Sequence, residues 1–305
     1  MPLANQVHVD TLLSNISIKY QPTDFIAMKV FPEVQVKKTS DLYRVYDKNF
    51  RIPETQRSNR AEAREHNFEV STASYLLERH SLKSFVSDTD AQNYDLADLR
   101  SETVEELSNV LLRRLELKVA QLFTLTNWSL NVSLASTLQF DDNTTLSNPI
   151  PVAQTAASTI IAFSGFKPNF GILPRDGMVA CVNHISVTDR LKYTSAEIDA
   201  NKLAALFELG ELLVPSAAYD TSALGVADTT SNSAPFYGDN MFIGYKPPSA
   251  GILKPSSGYT FRNSLPMVKR WREEARESEA IEVNMEFQAK IVASLSGYLI
   301  RDINN

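Results

Sequence analysis

Residues 98–125 contain neither glycine nor proline, and their apolar side chains recur at intervals of three and four positions. The repeating positions are Val104, Leu107, Leu111, Leu115, Val119 and Leu122. This spacing predicts an amphipathic helix with one buried stripe. At about 1.5 Å per residue the helix is roughly 40 Å long, whereas a compact domain of this chain length is about 50 Å across. The helix must span most of the molecule, and other layers must pack against it.

The charges along this segment match the helix dipole. Thr103 and Glu106 have the spacing of a capping box, so we predict that they cap the helix. Three basic residues lie in the second half, where the dipole favours cations; they are Arg113, Arg114 and Lys118.

Composition excludes several classes of protein. A chain of 305 residues provides one large domain or two medium ones. Because the chain has 30 basic and 36 acidic residues, it lacks the basic excess of a dedicated DNA-binding protein. It has no apolar run of about 18 residues that could span a membrane, and its first residues lack the layout of a secretory signal. The single cysteine, Cys181, excludes an intramolecular disulfide and fits a reducing cytoplasm.

A charged stretch precedes the long helix. Across residues 39–67, six basic residues nearly balance five acidic ones, and strand-like sequence lies on both sides. We predict a projecting β-hairpin that could reach ~40 Å; a disordered loop is the alternative. Near-neutral mixed charge suits ion pairs with another copy of the chain better than a polyanion. The candidate contact residues are Arg51, Glu54, Arg57, Arg60, Glu62, Arg64 and Glu65.

The remaining segments predict a small α/β unit and one long strand. Residues 80–94 are interpreted as a polar connection to the long helix. Within about 150–250, helices are predicted at 151–163, 184–193 and 201–209, and strands at 170–173, 178–182 and 212–214. Residues 281–291 alternate strictly between apolar and polar side chains, which is typical of a strand with one buried face.

No segment predicts an active site. The four histidines, His8, His66, His80 and His184, have no acidic or cysteine partner at metal-ligand spacing. Cys181 lies in a predicted apolar strand, where an inert buried thiol is expected. Asp141 and Asp142 are interpreted as solvated, and residues 269–272 combine basic and aromatic side chains but precede two glutamates. We expect no catalytic residue, cofactor or metal; an enzyme using Cys181 and His184 is the alternative from another class.

Several short stretches are similar to sequences of one known family. They are VFPEVQV at 30–36, LLRRLELK at 111–118, DRLKYT at 189–194, IGYKPP at 243–248, SGYTF at 257–261 and GYLIRD at 297–302. With the order of the predicted elements, they make the chain resemble the major capsid proteins of tailed bacteriophages, which have the Hong Kong-97-type fold.

The resemblance implies an α+β fold with a long spine helix, a projecting β-hairpin loop, a peripheral domain and an inserted axial α/β domain. The implied division is an N-terminal arm at 1–38, an extended loop at 39–67, the peripheral domain at 68–149 with its spine helix at 98–125, the axial domain at 150–250, and return strands of the peripheral domain at 251–305. A long built-in scaffold is not expected, and no Lys, Asn and Glu set for the family's cross-linking chemistry is identified.

The implied function is structural. Members of the family assemble as hexamers and pentamers into the icosahedral head shell around double-stranded DNA, so the expected partner is the chain itself. Scaffolding, portal and decoration proteins are further candidate partners, and no membrane is expected. The expected location is the virion, after assembly in the bacterial cytoplasm. An encapsulin-type nanocompartment shell is the alternative within the same fold, and a tail or decoration protein is another.

Overall fold

The structure is a computed structural model. It describes residues 8–9, 25–45, 55–57, 59–60, 62, 71–93, 98–142, 144, 146–192, 198–222, 233–251, 254–263 and 266–304.

Seven helices lie in this part of the chain. They are α1 (Ala27–Val30), α2 (Asp88–Asn93), α3 (Leu99–Ala120), α4 (Pro149–Ser164), α5 (Arg175–Asn183), α6 (Ile185–Leu191) and α7 (Ala200–Leu206).

The strands form two sheets and two ribbons. The strands are β1 (His8–Val9), β2 (Glu33–Gln35), β3 (Ser40–Val45), β4 (Ser71–Leu76), β5 (Glu78–Ser87), β6 (Asn131–Ser133), β7 (Phe170–Ile172), β8 (Glu211–Leu213), β9 (Ala218–Asp220), β10 (Ser233–Pro235), β11 (Met241–Gly244), β12 (Gly258–Arg262), β13 (Met267–Glu273), β14 (Ser278–Ile291) and β15 (Gly297–Arg301).

The first sheet is built around β14. This strand pairs with β5 along one edge, while β13 and β12 pair end to end along its other edge. The outer strands β1 and β2 complete the order β1-β13-β14-β12-β2. The predicted alternation over residues 281–291 is therefore confirmed, and the strand begins three residues earlier, at Ser278.

The long helix α3 packs on one face of this sheet. Val104, Leu111, Leu115 and Val119 from its stripe are buried together with the odd-numbered apolar residues of β14. That face of β14 consists of Ile281, Val283, Met285 and Phe287. The helix predicted over 98–125 is thus confirmed as the spine of this layer, but it ends at Ala120.

Both ends of α3 differ from the prediction. The capping box of Thr103 and Glu106 was wrong, because Asp98 is the N-cap and accepts a hydrogen bond from the Arg100 amide at 3.2 Å. Thr103 Oγ1 instead donates to the Leu99 carbonyl. At the other end, the indole N–H of Trp128 donates to the Leu122 carbonyl at 3.0 Å, which holds the chain in a turn.

Two predicted segments have another structure. Residues 178–182 lie in helix α5, not in a strand, and Met178 and Cys181 share its buried side while Val179 is exposed. A short apolar run fits a helix or a strand equally well until its partners are known. Residues 80–94 were interpreted as a connection, yet β5 pairs with β14 over ten residues and α2 follows it. Tyr94 lies outside the described residues.

The second sheet has the order β6-β15-β11-β7-β8 and packs with α4 to α7. Helix α4 confirms the prediction for 151–163, and Gly165 ends it in the left-handed conformation, at φ 75°. Strands β6 and β15 come from outside residues 150–250. The division into arm, peripheral and axial domains stays a prediction.

An aromatic cluster joins the spine helix to the second sheet. Phe123, just after α3, packs edge-on against Phe242 of β11, with ring centres 4.8 Å apart. The Trp128 ring lies 4.5 Å from that of Phe242. Gly297 of β15 provides the space for both rings, because a Cβ there would lie 2.4 Å from Phe242 and 2.5 Å from Trp128.

Substituting Gly297→Ala should therefore destabilise the subunit by about 1–3 kcal/mol through overpacking. Gly251→Ala is the matched control, since the nearest described atom to a Cβ there belongs to the flexible Lys254 side chain, at an ordinary contact distance of 3.7 Å. Urea unfolding of the unassembled subunits measures both. Equal midpoints for the two variants would contradict this packing.

Candidate assembly interface

The charged stretch begins on one strand of a two-stranded ribbon and is followed in the sequence by the other strand. Strands β3 and β4 pair antiparallel, from Ser40 opposite Leu76 to Val45 opposite Ser71. One face of the ribbon is buried on β12: the Tyr75 ring stacks on Phe261 with ring centres 4.7 Å apart. The other face is open, and it carries two large apolar side chains, Leu42 at 63% and Leu76 at 61% exposure.

The ribbon is tied to the C-terminal end of β14. The Leu76 amide donates to Gln288 Oε1 at 2.7 Å, and the Tyr43 hydroxyl donates to the Ile291 carbonyl at 3.3 Å. These contacts fix the base of the hairpin to the first sheet on the face opposite α3. The two residues at the end of the ribbon, Val45 and Ser71, therefore have fixed positions on the first sheet.

Three of the seven candidate contact residues are described. Arg57, Arg60 and Glu62 are exposed, and Arg60 has φ 70°, in the left-handed region. Arg51, Glu54, Arg64 and Glu65 lie outside the described residues. The interpretation of all seven as contacts to another subunit stays a prediction.

A buried carboxylate fastens the N-terminal segment to the spine helix. Glu116 of α3 is 1% exposed. Its Oε2 accepts the Ala27 amide at 2.8 Å, and its Oε1 accepts the Ile26 amide at 3.2 Å and the Tyr237 hydroxyl at 2.7 Å. One side chain thus joins the start of α1, the C-terminal part of α3 and the segment before β11.

The environment of Glu116 alters its acidity. Burial raises the pKa of its carboxyl group, and the hydrogen bonds from Tyr237, Ala27 and Ile26 counter that rise only in part. Burial also raises the pKa of the Tyr237 hydroxyl, which therefore stays a hydrogen-bond donor. Sequence reasoning missed this contact. The signal that could have revealed it is the apolar surroundings of Glu116 in the helix, which are Leu112, Leu115, Val119 and Ala120.

Cys181 and His184 do not form a reactive pair. Cys181 is fully buried, and burial raises the pKa of its thiol to about 12, as expected for an inert thiol. His184 is also buried, and its Nδ1 accepts the Ser186 amide at 3.1 Å as the N-cap of α6. Burial lowers the pKa of the His184 ring.

Other residues considered for chemistry have structural contacts. His80 stacks on Phe287 with ring centres 4.6 Å apart. From the basic run at 269–272, Arg270 pairs with Glu279 at 3.2 Å and Arg272 forms a two-pronged ion pair with Asp88.

In the described part of the chain, no group of three or more His, Cys, Asp or Glu residues is placed to hold a metal ion. No helix in that part is long and apolar enough to cross a membrane. The side chains of His8 and His66 lie outside the described residues.

Comparison with known proteins was made in sequence and in structure. No protein-family model matches the chain. It is 25% identical over 307 residues to the major capsid protein of Burkholderia phage BcepMu, and the match covers 97% of each chain. A phage-related protein from Bordetella bronchiseptica RB50 gives a TM-score of 0.80 at 25% identity, over 97% of this chain and 98% of that chain. The capsid structure of cyanophage P-SCSP1u gives 0.61 at 12% identity, over 89% and 86%. The chain has the fold of phage capsid proteins.

This result confirms the predicted α+β capsid fold and the resemblance to phage major capsid proteins. The chain is a homologue of such a protein along nearly its whole length. The encapsulin alternative is not favoured, because the full-length sequence match is to a phage major capsid protein.

The lone thiol provides a test of the core around α5. Iodoacetamide at pH 8 should modify Cys181 at least about a hundredfold more slowly in the folded chain than in urea, because the folded thiol is buried and un-ionised. Mass spectrometry follows the single adduct. Comparable rates in the two states would contradict the burial of this helix face.

Removing the Glu116 carboxylate tests its contact with the N-terminal segment and with Tyr237. Glu116→Ala leaves two backbone amides and the Tyr237 hydroxyl buried without their acceptor, which should cost about 3 kcal/mol or more in the free energy of unfolding. The control is Glu105→Ala, an exposed position on the same helix, which should change this free energy by less than about 0.5 kcal/mol. Urea unfolding of the unassembled subunits measures both.

The effect also has a pH dependence. Because folding raises the pKa of Glu116, the folded state binds the proton more tightly than the unfolded state does. Wild-type stability should gain from this group as the pH falls through the raised pKa. The difference in the free energy of unfolding between wild type and Glu116→Ala should therefore grow as the pH falls from 7 toward that pKa. A difference that shrinks over this range would contradict the raised pKa of Glu116.

Proposed function

We propose that this chain is the major capsid protein of a tailed double-stranded DNA phage and assembles as hexamers and pentamers into the icosahedral head shell. The observation that carries the proposal is the ribbon β3–β4, which is anchored on its own subunit and whose two strands are joined in the sequence by a charged stretch. A stretch with almost no apolar residues cannot build a core of its own, so a neighbouring subunit is the partner that can order it.

The proposed mechanism is geometric. Each subunit makes several modest contacts through its N-terminal arm, its extended loop and its domain edges. Covering one exposed leucine such as Leu42 or Leu76 contributes about 1.5–3 kcal/mol. Contacts of this size dissociate singly but hold when many are made at once, so misplaced subunits can leave while a closed shell persists.

The charge of the chain suits a container for DNA. A net charge of −6 leaves the subunit without the cationic excess that would hold the polyanion on its inner surface. Within this proposal residues 1–38 are the arm, 39–67 the extended loop, 150–250 the axial domain, and 68–149 and 251–305 the peripheral domain. The role is structural, not enzymatic, and the site of action is the virion, after assembly in the host cytoplasm. Scaffolding, portal and decoration proteins are the further partners.

Electron microscopy of the purified chain under assembly conditions tests the proposal. Closed shells are the expected result. A chain that stays monomeric under every assembly condition, or that forms only tubes or trimers, would overturn it. Shells that contain DNA in infected cells separate a phage head from an enzyme-filled compartment.

A designed deletion tests the extended loop. Val45 and Ser71 lie opposite each other at the end of the ribbon, so replacing residues 46–70 by Asn-Gly closes the hairpin with a two-residue turn. This variant should keep its urea midpoint and lose shell formation. Normal shells from the shortened chain would refute the loop's role while leaving the shell proposal intact.

A further inference from the structure

Helix α3 has a face that no layer of the described residues covers. Its apolar stripe packs on β14, and Glu116 on its flank binds the N-terminal segment. The remaining side carries Glu102, Glu106, Val110 and Arg113, all of them exposed; we name it the open face. Val110 is 45% exposed, so an aliphatic side chain lies in water between charged groups of opposite sign.

The charges in the middle of the open face do not serve the helix dipole. Helix α3 has 22 residues, and Glu106 and Arg113 are the eighth residues from its two ends. Each therefore lies about two turns inside the helix, whereas the dipole acts on charges in the first and last turns.

These two charges also serve no ion pair within the described part of the subunit. There, α3 forms its ion pairs near its two ends, at Arg100 and Lys118. Opposite charges on one helix support each other at spacings of three or four residues, but Glu106 and Arg113 are seven residues apart, about 10 Å along the axis. Glu116 follows Arg113 by three residues, yet it is buried and its oxygens accept other donors.

The order of charges makes the open face complementary to itself. Toward the C-terminus it runs from glutamate through Val110 to arginine. Because Glu106 and Arg113 lie at equal distances from opposite ends of α3, a second α3 running antiparallel places each glutamate opposite an arginine. The two Val110 side chains then lie near the centre of the contact. A parallel copy would place like charges together, which is repulsive.

We propose that the open face of α3 packs antiparallel on the open face of a second copy, across a two-fold axis of the assembly; this rests on the shell function proposed above. A contact across a two-fold axis uses the same patch on both subunits and must be complementary to itself. An icosahedral shell contains such axes. A polyanion would instead meet the carboxylates of Glu102 and Glu106.

The contact belongs to the assembled state. Ion pairs between exposed side chains are individually weak, and Val110 is the one large aliphatic side chain placed near its centre. We therefore expect the contact in the shell, where many contacts act together, and no stable dimer of free subunits through this face alone.

Exchanging the two charges tests whether the partner is the same chain. Glu106→Arg alone, or Arg113→Glu alone, places like charges at both crossings and should lower the yield of shells by about tenfold. The double variant Glu106→Arg/Arg113→Glu restores opposite charges at both crossings and should return the yield to the wild-type level. The urea midpoints of all three unassembled variants should match wild type, since both positions are exposed.

Two results of this exchange would overturn the proposal. One is a double variant as poor as the single ones, which would point to a partner of different sequence, such as a scaffolding protein. The other is an undiminished yield from the single variants.

A cysteine at the centre of the open face tests the geometry with the charges unchanged. Shells of Val110→Cys, treated with a short bifunctional maleimide, should give dimers joined through position 110 of both copies, as read by gel and mass spectrometry. The native Cys181 is buried and does not compete. The matched control is Glu102→Cys on the same face, because its two copies lie roughly 20 Å apart in the antiparallel pair and should stay unjoined.

The outcomes separate this contact from the shell function. Shells in which position 110 stays unjoined, or in which position 102 is joined as readily, would overturn the contact and leave the shell function standing. A wild-type chain that forms no shell under any assembly condition would overturn the shell function and the contact with it.

Discussion

The buried carboxylate of Glu116 is the contact on which the rest of the subunit depends. A charged group in an apolar core is costly unless its hydrogen bonds are complete. The bonds of this one are complete only when three distant segments meet: the start of α1, the C-terminal part of α3 and Tyr237. The contact therefore specifies one arrangement of the chain.

The other elements of the subunit are arranged in layers. Helix α3 covers one face of the first sheet, and the aromatic cluster of Phe123, Trp128 and Phe242 connects this layer to the second sheet. The opposite face of the first sheet receives the ribbon at the C-terminal end of β14. The surface through which the subunit can contact its neighbours is thus the part that its own layers leave uncovered.

The regular spacing of apolar residues predicted those elements that bury one face and expose the other. Helix α3 and strand β14 are in that class, and both were found from the sequence. Strand β5 was missed because residues 78–83 are mostly exposed and show no alternation, although their backbone pairs fully with β14. Helix α5 was missed because its apolar run is short. The charged stretch was visible in composition, but the contact of Glu116 joins it to residues 90 and 121 positions away in the sequence. Such contacts depend on register and tertiary packing.

The pairing of β14 on both edges makes the first sheet resist force differently in different directions. It is bonded over ten residues to β5 on one edge and to β13 and β12, in sequence, on the other. Tension along the strand loads all of these hydrogen bonds in shear, so they share the force and must break together. A pull across the strand would open them one at a time. The first sheet is therefore strongest along the direction of β14.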